Sequence, residues 1–137
     1  VFFRRSDVVS SGDIFNTDRY PHFDTAQGGS IDGVIEGLNL ILDLTIAGEN
    51  QTGGTLVIPG HGRLGDETDV ANYRDMATII RDRIQVMIDA GNSLEQVLAA
   101  QPTRDYDGLY ASNPDSWTGA KALRGGPAAV ASGGART

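Results

Sequence analysis

A chain of 137 residues, of which 39% are hydrophobic and 21% charged, is long enough for one domain with a packed core or for a large piece of one. Eighteen acidic residues against eleven basic ones give a net charge of −7, which disfavours binding to nucleic acid or to an anionic membrane surface. The chain has no cysteine, so disulfides and thiolate metal sites are excluded, and any metal ion must be held by histidine, aspartate or glutamate.

Two short apolar runs open the chain. Residues 1–3 and 7–12 are rich in β-branched or aromatic residues and end in turn formers, which predicts two short strands. A strand needs a neighbour for its backbone hydrogen bonds, so a chain that starts inside one indicates residues missing upstream. Residues 13–29 contain proline, glycine, asparagine and aspartate and are predicted to form a long irregular loop.

Helical periodicity dominates the middle of the chain. Apolar residues recur at helical spacing over residues 31–46, after Ser30 as the N-cap, and over residues 66–90, before Gly91. Between these helices, a continuous apolar run at residues 55–58, ended by proline and glycine, predicts a strand buried on both faces. Ser93 and Gln96 predict a capping box for a short helix at 94–100. Strands mixed with helices indicate an α/β layered fold.

Two motifs carry residues with the chemistry of a metal site. An apolar strand leads into Gly-Asp at residues 12 and 13, and a later one leads into Pro-Gly-His-Gly at residues 59–62. Ligands collect beyond the carboxyl ends of strands in open α/β sheets, and the glycines beside the histidine allow close backbone approach. A carboxylate and an imidazole together suit zinc, iron or manganese. We therefore expect Asp13 and His61 to converge on a shared cation.

These motifs, in this order and with an amphipathic helix between them, resemble the C-terminal half of metallo-β-lactamase-fold hydrolases. That superfamily includes glyoxalase II-like thioesterases, lactonases and β-lactamases. The resemblance covers residues 1–118 and implies a partial αββα sandwich, in which short strands accompany two or three amphipathic helices. It implies two zinc ions, with iron or manganese as alternatives, and a metal-activated hydroxide that cleaves an ester, thioester, lactone or amide. It also implies that Asp13 bridges the ions, orients the water and is catalytic, and that His61 binds the second ion.

The chain also departs from the family pattern. The His-x-His-x-Asp-His motif and the histidine before the bridging aspartate are absent, and the chain has two histidines in all. We therefore expect it to be inactive by itself, as a fragment of a hydrolase that acts on a small-molecule substrate. The alternative is a non-catalytic remnant or a protein-interaction module with an incomplete metal site. Exposed apolar faces of half a sandwich predict self-association.

Simpler interpretations apply to each motif. Asp13 can cap a turn that includes Asn16, and His61 can be a turn histidine bonded to backbone carbonyls. His22 matches no metal position of the family and is expected to be a surface loop residue. No apolar run approaches the roughly 20 residues that span a bilayer, so no membrane segment is expected. Residues 119–137, rich in glycine and alanine, are predicted to form a disordered tail.

Overall fold

The sheet is built from strands at both ends of a helical crossover. In the computed structural model, which describes residues 1–48, 50 and 52–111, the strands are β1 (Phe2–Phe3), β2 (Val8–Asn16) and β3 (Leu56–His61). Their order in the sheet is β1-β2-β3. β1 runs antiparallel to β2, and β2 runs parallel to β3. The described part of the chain is therefore a mixed α/β fold, as the sequence predicts at this coarse level.

The two longer strands extend further than predicted. The loop expected from residue 13 begins only after Asn16, and β3 continues through Pro59 and Gly60 to His61. The pairing passes these positions through two register shifts in β2, and the Ser11 hydroxyl donates to the Ile58 carbonyl at 3.0 Å. Such irregularities absorb a residue that cannot join a regular ladder, as proline cannot. Asp13 therefore lies inside β2, three residues before its end.

The helices follow the predicted capping signals closely. The structure contains α1 (Ile31–Leu44), α2 (Glu67–Asp89), α3 (Leu94–Ala100) and α4 (Arg104–Tyr110). Ser30 caps α1 through the Gly33 amide, and the capping box of α3 is present as predicted. α1 ends two residues before the predicted end. α4 and a short 3-10 helix, Thr25–Gln27, were not predicted, and α4 has no side-chain N-cap that could have indicated it.

The core lies between one face of the sheet and the two long helices. Val9 and Val57 meet Leu38 of α1 and Tyr73 and Met76 of α2 in one buried cluster. At least 97% of the surface of each of these side chains is buried. Burying apolar area on this scale is the main stabilising contribution to such a fold.

The opposite face of the sheet is not covered by any described element. Phe3, Leu56 and Ile58 are 50%, 46% and 40% exposed, and Phe3 and Leu56 both pair with Val8. The prediction that the strand at residues 55–58 is buried on both faces is therefore wrong for the described part of the chain. The reason is that the core helices pack on the Val9 and Val57 side alone, so alternate residues of β3 face outwards.

The predicted tail cannot be compared with the structure, and the membrane prediction can be compared only over the described residues. The predicted boundary at residue 118 and the tail at 119–137 lie outside the described residues. Among the residues that are described, no helix combines the length and the apolar character needed to cross a membrane.

Candidate metal centre

The parallel pairing of β2 with β3 brings the two predicted ligands together. Asn16 is paired with His61 in the register, and the Thr17 amide donates to the His61 carbonyl at 3.1 Å. Residues at the carboxyl ends of neighbouring parallel strands lie at one edge of the sheet. Asp13, three residues before Asn16, reaches the same edge because the register shifts bring its backbone beside Gly60.

The glycines on either side of His61 are required by close packing against β2. A methyl group at Gly60 would collide with the Asp13 carboxylate and would lie 2.9 Å from the Asp13 backbone nitrogen and Cα. Gly62 has a φ of +96°, and a methyl group there would collide with the Thr17 hydroxyl. Glycine alone among residues adopts such a φ and tolerates such an approach without strain. The Gly-His-Gly sequence thus places His61 directly against β2.

The Asp13 carboxylate and the His61 ring are in direct contact. His61 Nδ1 lies 3.0 Å from Asp13 Oδ1, and the side chains are 47% and 71% exposed. His61 Nδ1 also lies 3.3 Å from Asn16 Oδ1, and the Asn16 amide nitrogen donates to the Asp13 carbonyl at 3.2 Å. The three side chains form one connected group, which we call the Asp-His-Asn cluster.

The cluster has the right donor types for a metal ion but too few of them. A carboxylate oxygen and an imidazole nitrogen suit zinc, and both side chains are accessible from solvent. A zinc site needs about four ligands, of which a catalytic site takes at least three from protein. No group of three or more histidine, cysteine, aspartate or glutamate side chains occurs within residues 1–48, 50 and 52–111 that could hold an ion. Asp13 and His61 therefore match a metal ion in donor type, but the two of them are too few to complete a zinc site.

His22, Tyr20, Phe23 and Asp69 lie outside the Asp-His-Asn cluster. His22 is exposed in the segment between β2 and α1. Tyr20 is 2% exposed and donates to the Asp107 carboxylate at 2.7 Å, which ties this segment to α4. Phe23 packs on the edge of the core. Asp69 caps α2 together with Asp66, as expected for an acidic cluster at a helix start.

Asn16 is the member of the cluster that sequence reasoning missed. The sequence predicts Asn16 in a loop capped by Asp13. In the structure, Asn16 is the last residue of β2 and is 2% exposed. Its amide donates to the Asp13 carbonyl, so the expected direction of capping is reversed. The sequence signal that could have indicated this role is a polar residue three positions after Asp13, close enough to reach the same strand end.

A cavity of about 380 Å³ lies beside the cluster, and Asn16 is part of both. Its size is at the lower end of the range for small-molecule sites, about 300–1,000 Å³. The wall also includes the Arg63–Asp69 ion pair, in which hydrogen bonds from the guanidinium lower the pKa of Asp69. Burial raises the pKa of Tyr110, which lines the same cavity. We call it the strand-end cavity.

Neither a protein-family model, nor a curated protein, nor a solved structure matches this chain, so the resemblance to metallo-β-lactamase-fold hydrolases rests on the residues and motifs described above.

Proposed function

We propose that this chain forms part of a metal-dependent hydrolase of the metallo-β-lactamase type, in which Asp13 and His61 are two of the metal ligands. The observation that carries the proposal is the 3.0 Å contact between His61 Nδ1 and Asp13 Oδ1 at the edge of two parallel strands. Asp13 and His61 are 48 positions apart in the chain, and the close packing at Gly60 and Gly62 holds the segment with His61 against β2 and the residues that follow it. An incidental turn histidine would not require that packing.

The uncovered sheet face supports the fold that this proposal needs. A partial αββα sandwich has helices on one face of its sheet and a second sheet on the other. The described helices cover one face, and the apolar residues Phe3, Leu56 and Ile58 lie exposed on the other. A second sheet packed there would remove these side chains from water.

The shortage of ligands defines what the rest of the site must supply. Two protein ligands leave a zinc shell of four half filled, so the other ligands must come from residues outside the described part of this chain. When bound, a divalent ion supplies Lewis acidity that activates water for attack on a carbonyl carbon. Asp13 would hold metal and orient the water, and His61 on the neighbouring strand would be the second protein ligand from this chain. The intact site would hold two zinc ions, with iron or manganese as alternatives.

The strand-end cavity is the proposed position of the substrate. Its wall includes Phe15, Tyr106 and Tyr110, which offer apolar area to an ester, thioester, lactone or amide. Arg63 and Asp69 add a charged pair at the same wall. These features suit a small molecule and do not distinguish among the four carbonyl classes.

The test is a calorimetric titration of the full chain with zinc. The binding free energy of a complete structural zinc site is about 10–16 kcal/mol, so half of its ligands supply roughly 5–8 kcal/mol. The expected dissociation constant is therefore about 10⁻⁴–10⁻⁶ M. Asp13→Ala and His61→Ala are each expected to weaken zinc binding at least tenfold. His22→Ala removes the other histidine and is the matched control, and it is expected to leave zinc binding unchanged.

The same titration separates the alternatives. Equal binding by the wild type, Asp13→Ala and His61→Ala would contradict the ligand assignment and favour a non-catalytic remnant or an interaction module. Tight binding with whole-number stoichiometry would contradict the view that the site is incomplete. Loss of binding only in His22→Ala would move the site to the segment between β2 and α1.

A further inference from the structure

The Asn16 side chain is held in one orientation by its neighbours. Its amide nitrogen donates to the Asp13 backbone carbonyl at 3.2 Å, and a carbonyl oxygen only accepts. That contact needs the nitrogen of the amide, so the amide oxygen is the atom that faces His61. At 2% exposure, the Asn16 amide has little freedom to turn.

His61 Nδ1 therefore faces two oxygen acceptors at once. Asp13 Oδ1 lies 3.0 Å away and Asn16 Oδ1 lies 3.3 Å away. An ionised carboxylate and an amide carbonyl can only accept hydrogen bonds. If Nδ1 carried no proton, its lone pair would point at that of the Asn16 oxygen. The hydrogen bond to Asn16 forms only when Nδ1 carries the proton, and the Asp13 carboxylate 3.0 Å away favours a proton there by its charge.

We infer that Asn16 is a positioning residue that, together with Asp13, holds His61 in the Nδ1–H tautomer and thereby makes Nε2 the ring nitrogen that does chemistry. In the neutral ring one nitrogen is the donor and the other has the free lone pair. A histidine that binds a metal usually donates its other N–H to an oxygen acceptor, which fixes both tautomer and ring orientation. Because Nε2 points away from Nδ1 and from Asp13, the second carboxylate oxygen of Asp13 would bind the other ion of the proposed two-ion site and not the ion on Nε2.

The tautomer of His61 and the choice of its metal-binding nitrogen depend on different observations. The tautomer follows from the hydrogen-bond geometry of the Asp-His-Asn cluster and does not require a metal. The assignment of Nε2 as the metal-binding nitrogen rests on the proposed function. A test without metal therefore examines the tautomer by itself.

The experiment is nuclear magnetic resonance of the full chain with ¹⁵N-labelled histidine, in the presence of a chelator. Long-range ¹H–¹⁵N correlations distinguish the two tautomers of a neutral ring, so the spectrum is recorded about two pH units above the ordinary histidine pKa of about 6.5. The chain has only two histidines, and His61→Gln assigns the signals. His22 serves as an internal reference. In the wild type, His61 is expected mainly as Nδ1–H.

Replacing Asn16 separates positioning from a merely structural role. Asn16→Ala removes one acceptor and is expected to lower the ratio of Nδ1–H to Nε2–H about 2- to 13-fold, the factor that one neutral hydrogen bond is worth. Asn16→Asp keeps an oxygen acceptor beside Nδ1 but has no N–H for the Asp13 carbonyl, so it is expected to retain the Nδ1–H tautomer and to lower the stability of the fold. Asn39→Ala, at an exposed position of α1, is the matched control and is expected to leave the ratio unchanged.

Several outcomes would overturn the inference. A wild-type spectrum with His61 mainly as Nε2–H would do so without any variant, so the test survives if Asn16→Ala fails to fold. An unchanged ratio in folded Asn16→Ala would remove Asn16 from the positioning role. If the tautomer is as expected but zinc does not bind, the proposed function fails and the inferred tautomer stands. If zinc binds through His61 but the tautomer is Nε2–H, the proposed function stands and the inferred tautomer is wrong.

Discussion

Replacing Gly60 by alanine tests whether the close approach of β3 to β2 positions His61. The added methyl group would lie 2.9 Å from the Asp13 nitrogen and Cα, whereas ordinary contact begins at 3.4 Å. The contacted atoms are backbone and cannot turn away, so the strands must separate by about 0.5 Å, with an overpacking cost of about 1–3 kcal/mol. Such a movement would take the 3.0 Å contact between His61 Nδ1 and Asp13 Oδ1 to the limit of hydrogen-bond distance.

The measurement is the urea midpoint by far-UV circular dichroism, combined with zinc calorimetry. Gly60→Ala is expected to lower the free energy of unfolding by about 1–3 kcal/mol and to bind zinc at least tenfold more weakly. Gly48→Ala is the matched control, because a methyl group at Gly48 meets nothing within 4 Å, and its stability is expected to stay within about 0.5 kcal/mol of wild type. If Gly60→Ala matches wild type in both stability and zinc binding, the argument that backbone packing positions the cluster is refuted.

Three further predictions concern acid, alkali and self-association. Because Arg63 lowers the pKa of Asp69, this carboxylate stabilises the fold above its unfolded-state pKa of about 3.9, and the stabilisation is lost as pH falls through the lower folded-state value. Asp69→Asn is therefore expected to lower the urea midpoint at neutral pH, with a difference from wild type that shrinks in acid; a constant difference would contradict this. Burial, with a neighbouring carboxylate, raises the pKa of Tyr20, so unfolded chains ionise first and stability should fall as pH rises above about 10. Tyr20→Phe should weaken that alkaline fall, and an unchanged slope would exclude Tyr20 as a contributor. Ile58 is 40% exposed on the uncovered sheet face, and Ile58→Lys is expected to reduce self-association of the purified chain in sedimentation velocity, whereas Val86→Lys, on the exposed side of α2, is not. Wild-type protein that is monomeric at all concentrations would refute this last prediction.

Helix positions and the identity of the candidate ligands could be predicted because their signals are local. Ser30 and Ser93 mark helix starts through hydrogen bonds to amides three residues away, and apolar spacing marks the buried face of each long helix. Pro-Gly-His-Gly indicates a histidine in a close backbone approach, which the structure contains. α4 was missed since its start has no side-chain cap, and contacts with distant segments hold it, such as the bond from Tyr20 to Asp107.

The sequence by itself determined the positions of α1, α2 and α3 and singled out Asp13 and His61 as candidate ligands, because both depend on side-chain type and on neighbours a few positions away. Only the tertiary structure decided that β2 continues to Asn16, that no described element covers one face of the sheet, and that the buried Asn16 amide lies against His61 Nδ1. These features arise from the register between two strands whose paired residues lie 45–48 positions apart in the chain. A one-residue change in that register would turn the same side chains to the other face, and local sequence does not encode the choice.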